Sequence, residues 1–327
     1  SLQMPAVVNH KIQETAGRLI MYYFIINPLS SSGHGLNLWQ EAAEILNEKN
    51  IEYEAFFTEY KGHAMELAKQ IATLSLPCTL GVLGGDGTLN EVINGLMQTD
   101  FSHITLGYIP TGSGNDFARG LGLPTDITSC IHMILEPKEL INLDIGQTKT
   151  PDFSRYFIVS SGIGYDAGIC AQVSVTPLKK FLNKLKMGKL TYVFVALKLL
   201  LIFKPCQISI RLDHKKTYRI PKFFFLAAMN MKYEGGGAKF CPDARYDDGF
   251  LDFCLVGKLS KLKILTLFPT AFIGKHTLFH GVHIKRCRHM EVITQRPMPV
   301  HCDGEVPGTA TQVTFTFGEK KLKTIKR

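Results

Sequence analysis

The sequence reads Gly84-Gly85-Asp86-Gly87-Thr88-Leu89-Asn90-Glu91 directly after an apolar run that is typical of a buried strand. Apolar residues then recur at helical spacing, so the pattern predicts a strand, a tight turn and a helix. Thr88 and Glu91 fit a capping box at the start of that helix. Glycines let a backbone approach a ligand closely, and the N–H groups at a helix N-terminus attract phosphate. The stretch is therefore predicted to bind phosphate; the alternative is a turn that uses glycine for its geometry alone.

Acidic residues accompany two such loops. Asp86 is unexpected in a phosphate-binding turn, because its carboxylate repels phosphate oxygens unless a divalent cation lies between them. A second loop has the same design and reads Pro110-Thr111-Gly112-Ser113-Gly114-Asn115-Asp116 after another apolar run. Hydroxyls of Thr111 and Ser113 can donate to phosphate oxygens, and Asp116 can hold water on a metal ion. Both loops are therefore candidates for binding a nucleotide with its metal ion.

The chain alternates strand and helix patterns over its first 147 residues, and short strand patterns dominate after that. The alternation predicts a parallel sheet between two helical layers, and the later strands predict an antiparallel sandwich. We expect a three-layer α/β nucleotide-binding domain at residues 19–147, a β-sandwich domain at 148–318 and a basic tail at 319–327. A helical stretch from Leu178 to Phe203 interrupts the second domain. Loops at the carboxyl ends of parallel strands face one crevice, so both glycine loops and a Ser/Gly loop at 30–35 are predicted to meet on one nucleotide.

The chain has 327 residues, of which 45% are hydrophobic and 20% charged, and its formal net charge is +9. This composition excludes collagen, a coiled coil and disorder as the main state. The positive charge suits an anionic partner, but no nucleic-acid-binding motif accompanies it, so nucleic acid is not an expected partner. The eight cysteines are scattered without a C-x-x-C pair, which predicts reduced thiols and a cytoplasmic location.

Several motifs together resemble the catalytic superfamily of diacylglycerol kinases, which also includes sphingosine and ceramide kinases. They are the glycine stretch at 84–91, the segment Gly112 to Ala118, Asp248-Gly249-x-Leu251-Asp252, and Asp303-Gly304-Glu305. The resemblance extends from about Tyr22 to Phe317 and covers nearly the whole chain. It implies a nucleotide-binding domain like that of NAD kinases and phosphofructokinases, ATP as co-substrate, Mg²⁺, and a lipid hydroxyl as acceptor. The Gly-Gly-Asp-Gly element alone is shared with NAD kinases and phosphofructokinases.

The resemblance also implies which residues bind ligands. A threonine matching Thr58, the loop from Gly84 to Asn90 and a hydroxyl matching Ser113 hold the nucleotide in such kinases. The expected ATP-binding residues are Asn27, Thr58, Gly84, Gly85, Asp86, Gly87, Thr88, Leu89, Asn90, Thr111, Ser113 and Asp116. A structural magnesium ion of bacterial members matches Asp248 as the side-chain ligand, together with the backbone carbonyls of Arg245 and Phe250.

The segment Asp303-Gly304-Glu305 is the expected source of a proton acceptor. The resemblance gives that role to Glu305, with Asp303 as the second candidate. A carboxylate within hydrogen-bond reach of the attacking hydroxyl suffices, because phosphoryl transfer needs mainly positioning and charge neutralisation. Residues two apart on an extended strand face the same side, so both carboxylates are predicted to lie together. The alternative is an Asp-Gly turn followed by a solvated glutamate.

These features predict an ATP- and Mg²⁺-dependent lipid kinase that phosphorylates diacylglycerol or a related lipid. Two alternatives stay open: a soluble-metabolite kinase of the NAD kinase type, and a catalytically inactive lipid-binding protein. Leu178, Phe181 and Leu185 share one helical face edged by lysines. This face predicts peripheral binding to an anionic membrane from its inner, cytoplasmic side. A homodimer is the default expectation for the oligomeric state.

Overall fold

The computed structural model describes residues 21–175 and 188–326. The chain divides into two compact units, one formed by Ser1–Leu143 with Lys321–Arg327 and the other by Asp144–Lys320. The division falls inside strand β5 (Glu139–Lys149), which also contains the predicted boundary after residue 147. The predicted fold class is confirmed, because an α/β unit is followed by a unit of mainly antiparallel strands.

The first unit is built on parallel strands in the order β2-β1-β3-β4. Their bounds are Met21–Ile26 for β1, Tyr53–Phe57 for β2, Cys78–Gly84 for β3 and Ile104–Pro110 for β4. β3 is buried along its whole length, as a central strand between two helical layers should be. β1 pairs with β2 on one side and with β3 on the other, so the chain changes direction across the sheet at this point. The loops after β1 and β3 therefore face one crevice.

Helices cover this sheet, and their bounds are Gly35–Glu48 for α1, His63–Ala72 for α2, Asp86–Leu96 for α3, Asp116–Leu121 for α4 and Ile127–Leu135 for α5. α1 buries Trp39, Ala42 and Leu46 at the spacing that the sequence predicts. α2 and α3 approach closely because Gly95 has no side chain. A Cβ at Gly95 would lie 2.3 Å from the carbonyl oxygen of Met65. The position of α3, which carries the glycine stretch at its start, therefore depends on this glycine.

The segment after residue 318 is the end of a strand rather than the separate basic tail that the sequence predicts. β13 (Glu305–Lys326) continues through it, and Thr324 stands opposite Leu106 of β4. Leu322 and Thr324 are buried while Lys321 and Lys323 are exposed. The lysines thus conceal the alternation of buried and exposed positions that is typical of a strand.

The second unit contains antiparallel strands that close on themselves. β8 (Cys206–Leu212) pairs with β9 (Thr217–Met229), β9 with β7 (Ser160–Gly164), β7 with β12 (His289–Cys302), and β12 again with β8. The unit also contains β6 (Ser154–Phe157), β10 (Leu251–Gly257) and β11 (Val282–Cys287), together with parts of β5 and β13. Their inward side chains form one core, which includes Phe157, Phe223, Leu226 and Phe315. The unit is thus held by a continuous apolar interior of the sandwich type.

The second unit also contains the helices α6 (Tyr165–Val175), α7 (Gly188–Ile202) and α8 (Lys261–Ala271), and the 3₁₀ helix Lys275–Leu278. They enclose a second core in which Leu200, Ile264 and Leu267 pack with residues of β9. α7 accounts for part of the helical stretch predicted from Leu178. The rest of that stretch, at 178–187, lies outside the described residues. α8 is not predicted from the sequence, since Pro269 interrupts its pattern.

Candidate active site

Three loops of the first unit contact one another at the carboxyl ends of its strands. Asn27, directly after β1, donates from Nδ2 to the hydroxyl of Thr88 at 3.0 Å. Thr111, directly after β4, donates its hydroxyl to Ser30 Oγ at 2.7 Å. Its backbone N–H also donates to the carbonyl of Gly84 at 2.9 Å. The loops that the sequence assigns to one crevice are therefore adjacent.

The two glycine loops touch through backbone atoms. A Cβ on Gly112 would lie 2.8 Å from Gly85 Cα, and a Cβ on Gly85 would lie 3.3 Å from Gly112 Cα. A side chain at Gly112 would force the loops apart, and one at Gly85 would require a shift of its neighbour, so the contact at Gly112 requires glycine. α3 begins beside this contact, at Asp86. The first turn of a helix has N–H groups without intrahelical partners and a partial positive charge, which suits an anionic ligand.

The capping box predicted for α3 is wrong. The N-cap is Gly85, so Thr88 lies within the first turn and cannot cap it. Glu91 Oε1 instead accepts the backbone N–H of Gly62 at 2.9 Å, which fixes the loop before α2. Thr58 lies at the end of β2, where its N–H donates to the carbonyl of Ile26 at 2.9 Å. The predicted nucleotide residue Thr58 therefore also lies at the carboxyl end of a strand.

Asp86 holds the second glycine loop in place. Its carboxylate accepts backbone N–H groups at the start of α4, from Asp116 at 3.1 Å and from Phe117 at 3.3 Å. Asp116 in turn pairs with Arg119 at 2.5 Å. The sequence predicts a cation beside these two carboxylates. In the structure both carboxylates accept hydrogen bonds or pair with protein groups, so they are not free to act as metal ligands without giving up these contacts. Ser113, the other predicted nucleotide residue of this loop, is exposed.

Asp303 and Gly304 form a tight turn between β12 and β13 in the second unit. Their φ angles are 49° and 82°, and Cys302 stands opposite Glu305 in the ladder. This is the two-residue hairpin that the sequence Asp-Gly favours. The prediction that Asp303 and Glu305 share one side of an extended strand is therefore wrong, because the turn residues are in the left-handed region.

The carboxylate of Asp303 anchors this turn. It accepts backbone N–H groups from Ile158, Val159 and Ser160 at 3.0, 2.8 and 3.0 Å. Glu305 is the first residue of β13 and is partly buried. Because the oxygens of Asp303 are used to hold the backbone, the geometry favours Glu305 of the two candidates for proton acceptor.

A buried cluster of Asp166, Glu234 and His301 lies beside the turn. His301 Nε2 is 3.2 Å from Asp166 Oδ2 and 3.2 Å from Glu234 Oε1. The other ring nitrogen, Nδ1, is 3.4 Å from the backbone N of Gly304, which donates to it when that nitrogen is unprotonated. Gly162 stands opposite His301, and a Cβ there would lie 2.3 Å from Asp166 Oδ2. The cluster thus joins α6, the loop at Glu234 and the turn that carries Glu305.

The charges of the cluster depend on one another. Burial raises the pKa of Asp166, and its contact with His301 opposes this rise. Burial alone would lower the pKa of His301, but Glu234 and Asp166 outweigh it and hold that pKa well above the ordinary value. Oδ1 of Asp166 and Oε2 of Glu234 are buried without a hydrogen-bond partner in the described part of the chain. The sequence does not reveal this cluster, because its members are far apart and follow no spacing motif.

We expect His301→Gln to lower the free energy of unfolding by about 3–5 kcal/mol near neutral pH, because it leaves two buried carboxylates without their cationic partner. The loss should shrink as the pH falls towards 5, because burial raises the pKa of Asp166 and its carboxyl group takes up a proton more readily than in the unfolded chain. Chemical denaturation at both pH values measures this difference. The control is His283→Gln at an exposed position of β11. An unchanged stability of His301→Gln near neutral pH would contradict the proposed charges of the cluster.

The segment from Arg245 to Phe250 is held by protein contacts. Asp248 forms an ion pair with Arg286 at 3.1 Å and accepts the backbone N–H of Phe250 at 3.1 Å. Arg245 pairs with Asp247 at 3.3 Å. The guanidinium of Arg286 thus supplies a positive charge beside Asp248, and the structural magnesium ion at Asp248, Arg245 and Phe250 stays a prediction.

The two parts of the chain match two protein families. Residues 21–148 match the family described as "Diacylglycerol kinase catalytic domain". Residues 160–321 match "YegS C-terminal NAD kinase beta sandwich-like domain". A crystal structure of a diacylglycerol kinase from Bacillus anthracis has a TM-score of 0.68 at 19% identity, with 94% of this chain and 97% of that chain covered. At this identity the likeness establishes the fold.

Sequence relatives establish the family. The protein named "Diacylglycerol kinase" of Staphylococcus saprophyticus is 34% identical over 267 residues, which cover 80% of this chain and 81% of that protein. The protein of the same name from Staphylococcus epidermidis is 30% identical over 288 residues, with 87% and 85% covered. Together with the adjacent glycine loops, these matches show that the chain belongs to the diacylglycerol kinase family and is a lipid kinase.

Proposed function

We propose that this lipid kinase transfers the γ-phosphoryl group of ATP to a hydroxyl of diacylglycerol or a related lipid, with Glu305 as the proton acceptor. The proposal is supported mainly by the Asp-Gly-Glu turn, in which Asp303 is the carboxylate that binds the backbone of residues 158–160. Asp303 anchors the turn through three backbone N–H groups. Glu305 follows on the fixed turn and is the carboxylate assigned to the chemistry.

The nucleotide is proposed to bind at the glycine loops of the first unit. Gly85 and Gly112 have no side chains, so phosphates could approach the backbone closely at this place. The start of α3 favours an anion, and the hydroxyls of Thr58 and Ser113 supply further donors. Asp86 keeps the second loop against the first. Mg²⁺ bound with the triphosphate would neutralise its charge during transfer.

The chemical step is a single displacement. The acceptor hydroxyl oxygen forms a bond to the γ-phosphorus while the bond from that phosphorus to ADP breaks, and the hydroxyl proton passes to Glu305. A positioned carboxylate contributes about 10²–10⁴-fold to such a transfer. The hairpin geometry supports this assignment, because the anchored turn limits the positions that Glu305 can adopt.

The acceptor lipid implies a membrane partner. Among the described residues, no helix combines the length and the apolar character needed to cross a bilayer. We propose that the protein binds peripherally to an anionic membrane surface at the cytoplasmic side, where its acceptor lipid would lie. The lysines predicted to serve this purpose at 179–186 lie outside the described residues. A homodimer stays a prediction.

Transfer of labelled γ-phosphate from ATP to a panel of acceptors tests the function. The panel holds diacylglycerol, phosphatidylglycerol, sphingosine and undecaprenol in mixed micelles, with NAD as the soluble acceptor. We expect the label in a lipid product, and we expect a chelator of Mg²⁺ to abolish it. Label in NAD and in none of the lipids would replace the proposal with the NAD kinase type of activity.

A further inference from the structure

Helix α8 carries apolar residues on two opposite sides. Ile264, Leu267 and Ala271 are buried in the second core. On the other side, Leu262, Leu265 and Phe272 are 72%, 43% and 41% exposed. Successive residues of a helix are about 100° apart, so these exposed residues form one stripe, opposite the buried one. A helix that is apolar on both sides needs a second apolar environment, which the described part of this unit does not supply.

The exposed stripe continues beyond the helix. Ile273, the next residue after Phe272, is 63% exposed. The end of α7 adds Leu201 at 76% and Ile202 at 64% exposure. The two helices are joined at this place, because Lys261 Nζ donates to the carbonyl of Leu201 at 2.5 Å. We define the docking face by its apolar members, which are Leu201, Ile202, Leu262, Leu265, Phe272 and Ile273.

The chain segments that form the docking face carry charges of one sign. Lys198 and Lys204 flank the α7 part, and Lys261, Lys263 and Lys275 flank the α8 part. The sequence contains no Asp or Glu between Asp166 and Asp213, and none between Asp252 and Glu291. Both helices of the docking face lie in these acid-free stretches. An apolar stripe whose own chain segments carry lysines and no acidic residue is complementary to an anionic lipid surface.

We propose that the docking face binds the interface of an anionic bilayer, with its apolar side chains in the boundary between headgroups and acyl chains and its lysines against lipid phosphates. The proposal rests on the proposed function in one respect, that the acceptor lipid lies in such a bilayer. A second copy of the chain fits less well, because two lysine-rich edges would repel each other and protein interfaces are depleted in lysine. The α8 part of the docking face lies outside the helical stretch predicted from Leu178 to Phe203, so it adds a contact that the sequence does not predict.

Vesicle binding of matched variants tests the proposal. The double variant Leu262→Ser/Phe272→Ser changes the docking face, and Leu74→Ser/Leu76→Ser changes two exposed leucines of the first unit, 48% and 61% exposed. On vesicles of phosphatidylcholine with phosphatidylglycerol, we expect the first variant to lower the partition coefficient by about tenfold or more and the second to leave it unchanged. Removing phosphatidylglycerol from the vesicles should weaken binding of the wild type, and exchanging Lys263 and Lys275 for Gln should weaken binding to the original vesicles.

A fluorescence measurement tests directly whether the side chain at position 272 enters the bilayer. The only tryptophan of the chain, Trp39, is buried. The variant Phe272→Trp should therefore add an exposed fluorophore whose emission shifts to the blue on vesicles and is quenched by brominated acyl chains. No shift and no quenching on vesicles that bind the protein would overturn the proposal.

The remaining outcomes separate this proposal from the proposed function. With a short-chain diacylglycerol that is monomeric in solution, the docking variant should retain wild-type turnover. If wild-type protein phosphorylates this acceptor but does not bind the vesicles, the docking face fails and the kinase function stands. If no lipid is phosphorylated while vesicle binding depends on the docking face, the function fails and the docking face stands. Dissociation of a wild-type dimer by the docking variant, with vesicle binding unchanged, would assign the face to a second copy.

Discussion

Glu305→Gln should lower kcat by about 10²–10⁴-fold while the protein stays folded and its affinity for ATP is unchanged. Gln keeps the size of the side chain and removes the ability to accept the proton of the lipid hydroxyl. The turn itself should persist, because Asp303 and not Glu305 makes the bonds to Ile158, Val159 and Ser160. Steady-state kinetics with micellar diacylglycerol, together with a thermal melt of each variant, measures the effect.

The matched variant is Asp303→Asn, at the other carboxylate of the turn. It weakens a cluster of backbone hydrogen bonds, so we expect a loss of about 1–3 kcal/mol in the free energy of unfolding. Its effect on kcat should be smaller than that of Glu305→Gln and should follow the loss of structure. If Glu305→Gln retains near-normal turnover while a folded Asp303→Asn loses it, the proton acceptor is Asp303 and the assignment is wrong.

Asp86→Ala should reduce kcat/KM for ATP by about hundredfold or more, because a displacement of about 1 Å at a binding loop is enough to cost that much. The reason lies in two hydrogen bonds, from the backbone N–H groups of Asp116 and Phe117 to the Asp86 carboxylate. Without them the second glycine loop is no longer held at the contact between Gly85 and Gly112. Calorimetric titration with a non-hydrolysable ATP analogue measures the binding part of this loss.

The control for Asp86 is Asp126→Ala in the same unit. Asp126 also accepts a backbone N–H, from Ser129 at 2.8 Å, but it does so as the N-cap of α5. Its replacement should cost about 1 kcal/mol of stability and leave ATP affinity unchanged. Equal ATP affinities for Asp86→Ala and Asp126→Ala would show that the anchoring of the second loop is irrelevant to nucleotide binding.

The sequence predicts the first unit well, because its signals are local. The apolar run before Gly84 and the helical spacing after it depend on neighbouring residues. The order of parallel strands then brings Asn27 into contact with Thr88, and Thr111 into contact with Gly84. The hydrogen bonds of Asp86 have no such local signal, because they depend on how two loops pack. The sequence therefore predicts the loops but not the bonds between them.

The second unit is less predictable from the sequence, because its site depends on contacts between residues that are far apart in the chain. The alternative interpretation of Asp303-Gly304 as a turn is confirmed. The prediction of an extended strand there is wrong because Asp and Gly readily adopt positive φ. The cluster of Asp166, Glu234 and His301 is assembled by long-range strand pairing and has no local signal. In α8, the exposed Leu262 and Leu265 add apolar residues outside the buried face, so the sequence lacks the single apolar stripe by which a surface helix is recognised.

The most direct test of the central claim is identification of the product by mass spectrometry when wild-type protein and Glu305→Gln act on diacylglycerol with ATP and Mg²⁺. The wild type should form phosphatidic acid and ADP in equal amounts, and the variant should form almost no product. ATP consumption by the wild type that yields only free phosphate, or phosphatidic acid formed equally well by both proteins, would contradict the claim.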